Sequence, residues 1–341
     1  MSANGDLVHL RRGGRQKVPI PTSSFYKPKS LPWCPHLSAT KVKIHYTMTD
    51  TQVVAEWYNQ NAALEHNRLN ACRLEFSVSL RVIDQCLEHL RQRHDQPLRI
   101  LDLGGGTGRY AVELARKGHS VTLADISRSE LELAKTFAGE SGVTLDAIVE
   151  ADARTIQVYP KEEHPRSVFT TSTYDLILCQ GPMYHLLEES ERTHVLRACA
   201  SMLRGNGLLA VAFVTQYAHL RDIAQRDPAR LAKEFDGFYR EYLASGRYTR
   251  NPSMASYHTN AEHIRKLFRT VDGLLRTQDN IGLALSRIVT CEGFLGGGLA
   301  GKLCDLLPDV YERWVDVVMQ FVDDETLLGN ADHLLAIAER K

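Results

Sequence analysis

The chain lacks an excess of either charge. Its 41 lysines plus arginines are matched by 41 aspartates plus glutamates, a formal net charge of zero. A dedicated nucleic-acid binder usually carries a strong basic excess, so the balance argues against that class. No uninterrupted apolar run approaches the roughly 18 residues of a membrane span, and no apolar segment of signal-peptide type opens the sequence. Cysteine is scarce. The seven cysteines (Cys34, Cys72, Cys86, Cys179, Cys199, Cys291 and Cys304) are scattered, odd in number and never spaced C-x-x-C. That pattern reads as a reduced, cytoplasmic chain with neither a disulfide framework nor a metal site. Acidic residues are missing altogether between Leu7 and Thr49, where Arg11, Arg12, Arg15, Lys17, Lys27, Lys29, Lys41 and Lys43 supply the charge. Pro19, Pro21, Pro28, Pro32 and Pro35 deny that stretch a helix, and with it the amphipathic form of a transit peptide. Residues 1–48 are therefore expected to form a basic, proline-containing tail, disordered or draped over the fold; Phe25, Tyr26 and Trp33 could pack over a site or a partner subunit.

What remains is 341 residues, 43% hydrophobic, enough to bury a sizeable core. Residues 49–96 read as a helical region, because Leu69, Cys72, Phe76, Leu80, Ile83, Leu87 and Leu90 recur at three and four residues. Beyond Pro97 the rhythm becomes strand, turn, helix. Expected strands are Leu98–Leu103, Ser120–Asp125, Val143–Val149, Tyr174–Cys179 and Leu208–Val214. Expected helices between them are Tyr110–Lys117, Ser129–Ala138 (opened by a Ser127/Glu130 capping box) and Glu188–Leu203, with a Gly205-Asn206-Gly207 turn before the fifth strand. This alternation predicts an α/β fold with a doubly wound, Rossmann-like parallel sheet over residues 97–341. Residues 216–258 break the rhythm and are expected to form an inserted, partly helical cap after strand five. A helix at Ala261–Phe268, a strand around Leu274–Leu285, a helix at Tyr311–Val322 and a last strand at His333–Ile337 complete the reading.

The segment that carries chemistry is Leu101-Asp102-Leu103-Gly104-Gly105-Gly106-Thr107-Gly108-Arg109-Tyr110. Glycines between a first strand and a helix allow close approach of a nucleotide-like ligand. Asp125, about twenty residues on, ends the second strand where it can accept from ribose hydroxyls. That pair alone fits a dinucleotide or S-adenosylmethionine. Three details favour the latter. Asp102 would repel a pyrophosphate, the dinucleotide register leaves two superfluous glycines, and Asp152 follows the third strand within reach of an adenine amino group.

On these residues, together with Ala124-Asp125-Ile126-Ser127 and Ala151-Asp152-Ala153-Arg154, the chain resembles the class I S-adenosylmethionine-dependent methyltransferase family, small-molecule type. Further matching segments are Gln180-Gly181-Pro182-Met183-Tyr184-His185-Leu186, Arg73-Leu74-Glu75-Phe76, Cys291-Glu292-Gly293 and Ala331-Asp332-His333. The resemblance implies a seven-stranded sheet whose last strand is antiparallel. It implies S-adenosyl-L-methionine as cofactor, held by Asp102, Gly104, Gly105, Gly106, Gly108, Asp125, Ile126, Asp152, Ala153 and Gln180, with Tyr58 at its methionine end.

Ligands sit outside the carboxyl ends of the strands, so the loop after strand four faces the transferred methyl. His185 is expected there as general base, acceptor-orienting group or cofactor-side residue, with Tyr184 as a pocket wall. His258 is a second candidate base, and Tyr217, His219 and Tyr257 are candidate acceptor contacts at the two ends of the cap. The expected activity is methyl transfer to O, N or S of a small molecule, aromatic or peptide-derived, by a monomer or homodimer. The alternatives are methylation of RNA or protein, which the absence of an Asn/Asp-Pro-Pro-aromatic segment disfavours, and cofactor binding without methyl transfer.

Overall fold

A short apolar run flanked by glycines becomes a buried strand here, and a longer run with period near 3.6 becomes a helix covering it. The computed structural model describes residues 50–71, 73–92, 97–250 and 255–341. The tail of residues 1–48, with Phe25, Tyr26, Cys34 and Trp33, lies outside the described residues, as does Cys72. The helical region is two helices, α1 (Asp50–Ala71) and α2 (Arg73–Arg91). Helix α2 buries Leu74, Val78, Val82, Ile83, Cys86, Leu87 and Leu90; of the expected stripe Ile83, Leu87 and Leu90 are buried, whereas Phe76 and Leu80 are only half-buried because the buried face runs through Leu74, Val78 and Val82 instead.

The first half of the sheet follows the sequence closely. Strand β1 (Arg99–Leu103), helix α3 (Arg109–Arg116), β2 (Ser120–Asp125), α4 (Arg128–Glu140), β3 (Ala147–Glu150), β4 (Tyr174–Cys179) and α5 (Glu189–Met202) succeed one another. Every residue of β4 is buried, as expected of a central parallel strand covered on both faces. β5 (Leu203–Thr215) is longer than expected because the Gly205-Asn206-Gly207 turn is absorbed into it. Asn206 takes a left-handed φ of 61°, and the register against β4 jumps from Tyr174↔Leu203 to Leu176↔Leu208.

The cap contains α6 (Gln216–Arg226), α7 (Ala229–Glu234), a π-helical turn (Phe235–Tyr239), α8 (Arg240–Ser245) and a hairpin of β6 (Arg247–Tyr248) and β7 (Ser256–Thr259). Its last strand joins the sheet: β7 pairs in parallel with Val214 and Thr215, where β5 runs on past the end of β4. Then come α9 (Ala261–Gln278), β8 (Leu283–Thr290), α10 (Pro308–Met319) and β9 (His333–Arg340).

The principal sheet has the order β3-β2-β1-β4-β5-β9-β8, seven strands with β9 antiparallel to both neighbours, and the β6–β7 hairpin extends it at the end of β5. One expected strand is corrected. Leu274 and Leu275 belong to α9, not to a strand. Helix α9 buries Ile264, Leu267, Phe268, Val271 and Leu275 at helical spacing, and the chain turns only at Asn280, with a φ of 53°. β8 starts at Leu283. Helix α10 ends at Met319, short of the expected Val322; it buries Tyr311, Val315 and Val318 and leaves Trp314 exposed, and Phe321, past its end, is exposed as well.

Two apolar layers sandwich the sheet. One is built with α2, α3, α4 and α10, the other with α5 and α9. The capping serine of α4 is present as read: the Ser127 side chain accepts from the Glu130 amide at 3.2 Å. Its hydroxyl also donates to Asn59 Oδ1 at 2.9 Å, which ties α1 to the sheet. Ser127→Ala is expected to lower unfolding free energy by about 0.5–2 kcal/mol, the usual loss for an N-cap, read as a lower urea midpoint at unchanged slope.

Candidate active site

Parallel strands β1, β2 and β4 end at one edge of the sheet, and their loops meet there. Gly104, leaving β1, has a φ of 72°, and a Cβ on it would lie 2.4 Å from Pro182 Cδ in the loop after β4. Any side chain would force the two loops apart and impose a left-handed backbone on an L-residue. A Cβ on Gly105 would sit 2.5 Å from the carboxylate of Asp102. The glycines thus keep a narrow cradle open above the strand end.

Asp102 is fully buried, and neither carboxylate oxygen has a hydrogen-bond partner among the described residues. Burial, with a smaller push from the charge of Asp125, raises its pKa to about 7. A buried unpaired carboxylate is costly unless something cationic completes it. Asp125 is tied down instead: Oδ2 accepts from the Gly106 amide at 2.9 Å and Oδ1 from the Ser127 amide at 2.8 Å. Each oxygen keeps a lone pair for a further donor. Burial raises its pKa as well. The side-chain amide of Gln180, at the end of β4, is buried with no partner for its nitrogen or oxygen among the described residues. Asp102, Asp125 and Gln180 therefore converge on the cradle with hydrogen-bonding capacity unspent. Ile126 follows Asp125 directly. Asp152 caps the short turn Ala153–Thr155, accepts from the Arg154 amide at 2.9 Å and pairs with the Arg154 guanidinium; Ala153 is buried beside it.

Helix α1 closes over these loops. Tyr58, Ala62 and His66 fall at i, i+4 and i+8 on one face. The Tyr58 hydroxyl lies 2.9 Å from His185 Nε2, and His66 Nδ1 lies 3.0 Å from Thr107 Oγ1. Asn59 Oδ1 accepts from the Ser127 hydroxyl and, at 3.1 Å, from the Ser129 amide. One helix thus touches the loops after β1, β2 and β4. Asn59 and His66 escape the sequence reading. The available signal is the composition of Trp57-Tyr58-Asn59-Gln60-Asn61, a helix segment with no apolar stripe, which has to be held by polar contacts.

The sequence-derived acceptor residues divide. Tyr184 and His185 stand side by side, ring centroids 4.7 Å apart, in the turn that follows β4. β7 packs against that turn and carries Tyr257, whose ring lies under the Arg192 guanidinium at 3.5 Å. His258 and His219 do not join them. His258 is 1% exposed, its Nδ1 2.8 Å from the Tyr242 hydroxyl and its Nε2 3.0 Å from Ser256 Oγ. His219 is packed among Tyr239, Tyr242 and Tyr248. Burial lowers the pKa of His219 to about 4 and of His258 to about 3, so both are neutral at neutral pH and serve the interior of the cap. Tyr217 is 38% exposed, its ring edge near Gly329.

A doubly wound sheet of this order, with a glycine cradle after β1 and an acidic residue ending β2, is the fold of the class I S-adenosylmethionine-dependent methyltransferases. Residues 100–207 match the family described as methyltransferase domain. A ubiquinone biosynthesis O-methyltransferase of Chelativorans sp. (strain BNC1) is 29% identical over 167 residues, covering 47% of this chain and 58% of that protein. The protein of the same name from Escherichia coli O127:H6 is 31% identical over 109 residues, 32% of this chain and 40% of its own length. The match therefore spans about half the length of these relatives. Among solved structures, the magnesium protoporphyrin IX methyltransferase from Synechocystis PCC 6803 superposes with a TM-score of 0.51 at 13% identity, covering 86% of this chain and all of that one, a likeness of fold. No helix among the described residues is long and apolar enough to cross a membrane.

Proposed function

We propose that the protein is an S-adenosylmethionine-dependent methyltransferase acting on a small molecule in the cytoplasm. The observation that carries this is Asp102, a carboxylate without a partner at the floor of a glycine cradle. An ammonium group would satisfy it. Asp125 suits ribose hydroxyls, Asp152 and Ala153 the adenine edge, and Gln180 the region of the reacting centre. When bound, the cofactor supplies an already activated methyl group, so the protein's tasks are alignment, exclusion of water and proton handling.

Helix α1 covers the loops and keeps water out. Through Tyr58 it holds the His185 ring at the turn after β4, where the imidazole orients the acceptor. Tyr184 and Tyr257 offer aromatic walls beside it. The names of the sequence relatives favour oxygen as the methylated atom.

Calorimetry tests the reading. S-Adenosylmethionine and its demethylated product are expected to bind and NAD to give no heat; the reverse would sink it. The pH dependence follows from Asp102. Its raised pKa falls when an ammonium pairs with it, so binding near pH 7 releases a proton, and affinity weakens as pH drops below about 7. Titrations in buffers of different ionisation enthalpy would show that proton. A screen of acceptors with labelled cofactor, read by mass spectrometry, then identifies the substrate.

A further inference from the structure

A second buried charge lies close to the turn after β4, and it is a cation. Helix α5 begins at Glu189, soon after Tyr184 and His185, so its first turns stand at the same sheet edge as the cradle. Side chains on a helix tilt toward its N-terminus, and Arg192 therefore points back to that edge. Its Nη1 donates at 2.5 Å to the carbonyl oxygen of Leu186, one residue past His185. Its guanidinium carbon lies 3.5 Å from the ring centroid of Tyr257, on β7. Arg192 is 4% exposed.

The guanidinium is fixed in place but largely unspent. It has five N–H donors in one plane and stays charged at neutral pH. Stacking on Tyr257 occupies a face of that plane and leaves its edges open. The Leu186 carbonyl takes one donor of Nη1, so the edge formed by Nε and Nη2 is whole, the geometry that grips a carboxylate with two parallel bonds. These nitrogens are not sealed away as the Gln180 amide is, so a ligand atom can reach them.

No carboxylate among the described residues pairs with Arg192. The acidic residues at the start of α5 are spent elsewhere or turned away. Glu188 caps the helix and pairs with Arg247 of β6 at 2.5 Å, Glu191 pairs with Arg154 at 3.3 Å, and Glu189 is exposed. Burial lowers the pKa of Arg192, and Tyr257 with these glutamates opposes that without cancelling it. A buried cation without a counter-ion is costly. The reasoning that gives Asp102 an ammonium gives Arg192 an anion.

We propose that Arg192 is an anion subsite for the methyl acceptor, pairing with a carboxylate that the small molecule carries, an inference that rests on the methyltransferase reading. The carboxylate is a handle and not the methylated atom. Its oxygens direct their lone pairs to the guanidinium edge, which leaves another heteroatom of the same molecule to face the methyl group. Tyr184 and Tyr257 suit an aromatic ring between the two, so the acceptor class is an aromatic acid. Charge then sets specificity: a neutral analogue leaves the buried guanidinium unpaired, and a buried group left without its partner discriminates more sharply than a missing methylene.

The test uses the full chain saturated with S-adenosylhomocysteine, whose binding is measured first by calorimetry. Benzoate and benzamide then serve as probes of nearly equal shape and different charge. Benzoate is expected to bind about 10- to 100-fold more tightly, the scale of hydrogen bonds between charged groups. Arg192→Met, which keeps an unbranched apolar stem against Tyr257, should erase that preference with S-adenosylhomocysteine affinity unchanged. Arg192→Lys, which keeps the charge without the planar edge, should retain only part of it, and carries the test if the methionine variant fails to fold. Absence of S-adenosylhomocysteine binding to the wild type overturns the methyltransferase reading and this proposal with it. With the cofactor product bound, no heat from benzoate, equal affinity for the two probes, or a preference that survives undiminished in either variant overturns the proposal alone.

Discussion

Replacing His185 by alanine is expected to lower turnover about 10²-fold, the scale of a misplaced reacting group, while cofactor affinity changes by no more than a few-fold. His185 lies in the turn after β4, and its Nε2 is joined to the Tyr58 hydroxyl of α1. Removing the ring takes away both the group proposed to orient the acceptor and the tie between α1 and the turn after β4. His185→Gln keeps a hydrogen-bonding side chain that takes no proton at neutral pH, so it separates orientation from base catalysis. Near-normal turnover in the glutamine variant means orientation. A collapse equal to that of alanine would show that His185 moves the proton itself. Tyr58→Phe should reproduce most of the alanine effect, and the double variant should be far from additive, because both changes break one contact. Single-turnover kinetics with mass-spectrometric detection would measure each.

The second large effect is at the cofactor. Asp125→Ala should weaken binding of S-adenosylmethionine by about 10- to 150-fold, corresponding to about 1.5–3 kcal/mol for hydrogen bonds to a charged group. The residue also anchors the amides of Gly106 and Ser127, so part of the loss comes from a loosened loop. Asp125→Asn, which keeps one acceptor oxygen, should fall between wild type and alanine. Calorimetry paired with a urea melt separates the two contributions: an affinity loss much larger than the stability loss assigns the residue to the ligand. Unchanged affinity in the alanine variant would remove Asp125 from the site.

Much of the nucleotide half of the site is legible because its logic is local. A strand, a glycine turn and a helix follow one another within about a dozen residues, and backbone sterics decide what the glycines are for. The positions of Asp102 and Asp125 at the strand ends and the glycine turn are read that way, as are β1, β2 and β4, whose apolar runs are bounded by polar or glycine breaks. The end of α9 resists reading for the opposite reason. Leu274 and Leu275 could end a helix or start a strand, and only the burial of Leu275 on the face of Val271 and Phe268 makes the pair helical.

The acceptor half is not legible, because it is assembled from segments far apart in the chain. His185 meets Tyr58 across 127 positions. The sequence marks His258 and His219 as candidates alongside His185; their ring environments in the cap, with tyrosines on the histidine nitrogens or packed against the ring, set them inside the fold. A histidine in a sequence carries no record of what will surround it. The chain by itself determined the sheet's alternation and the cofactor cradle, since short-range sterics and hydrophobic period suffice for both. Which histidines face an acceptor and which are buried as structural groups was decided only by tertiary packing, because burial and hydrogen-bond partners are properties of the assembled fold.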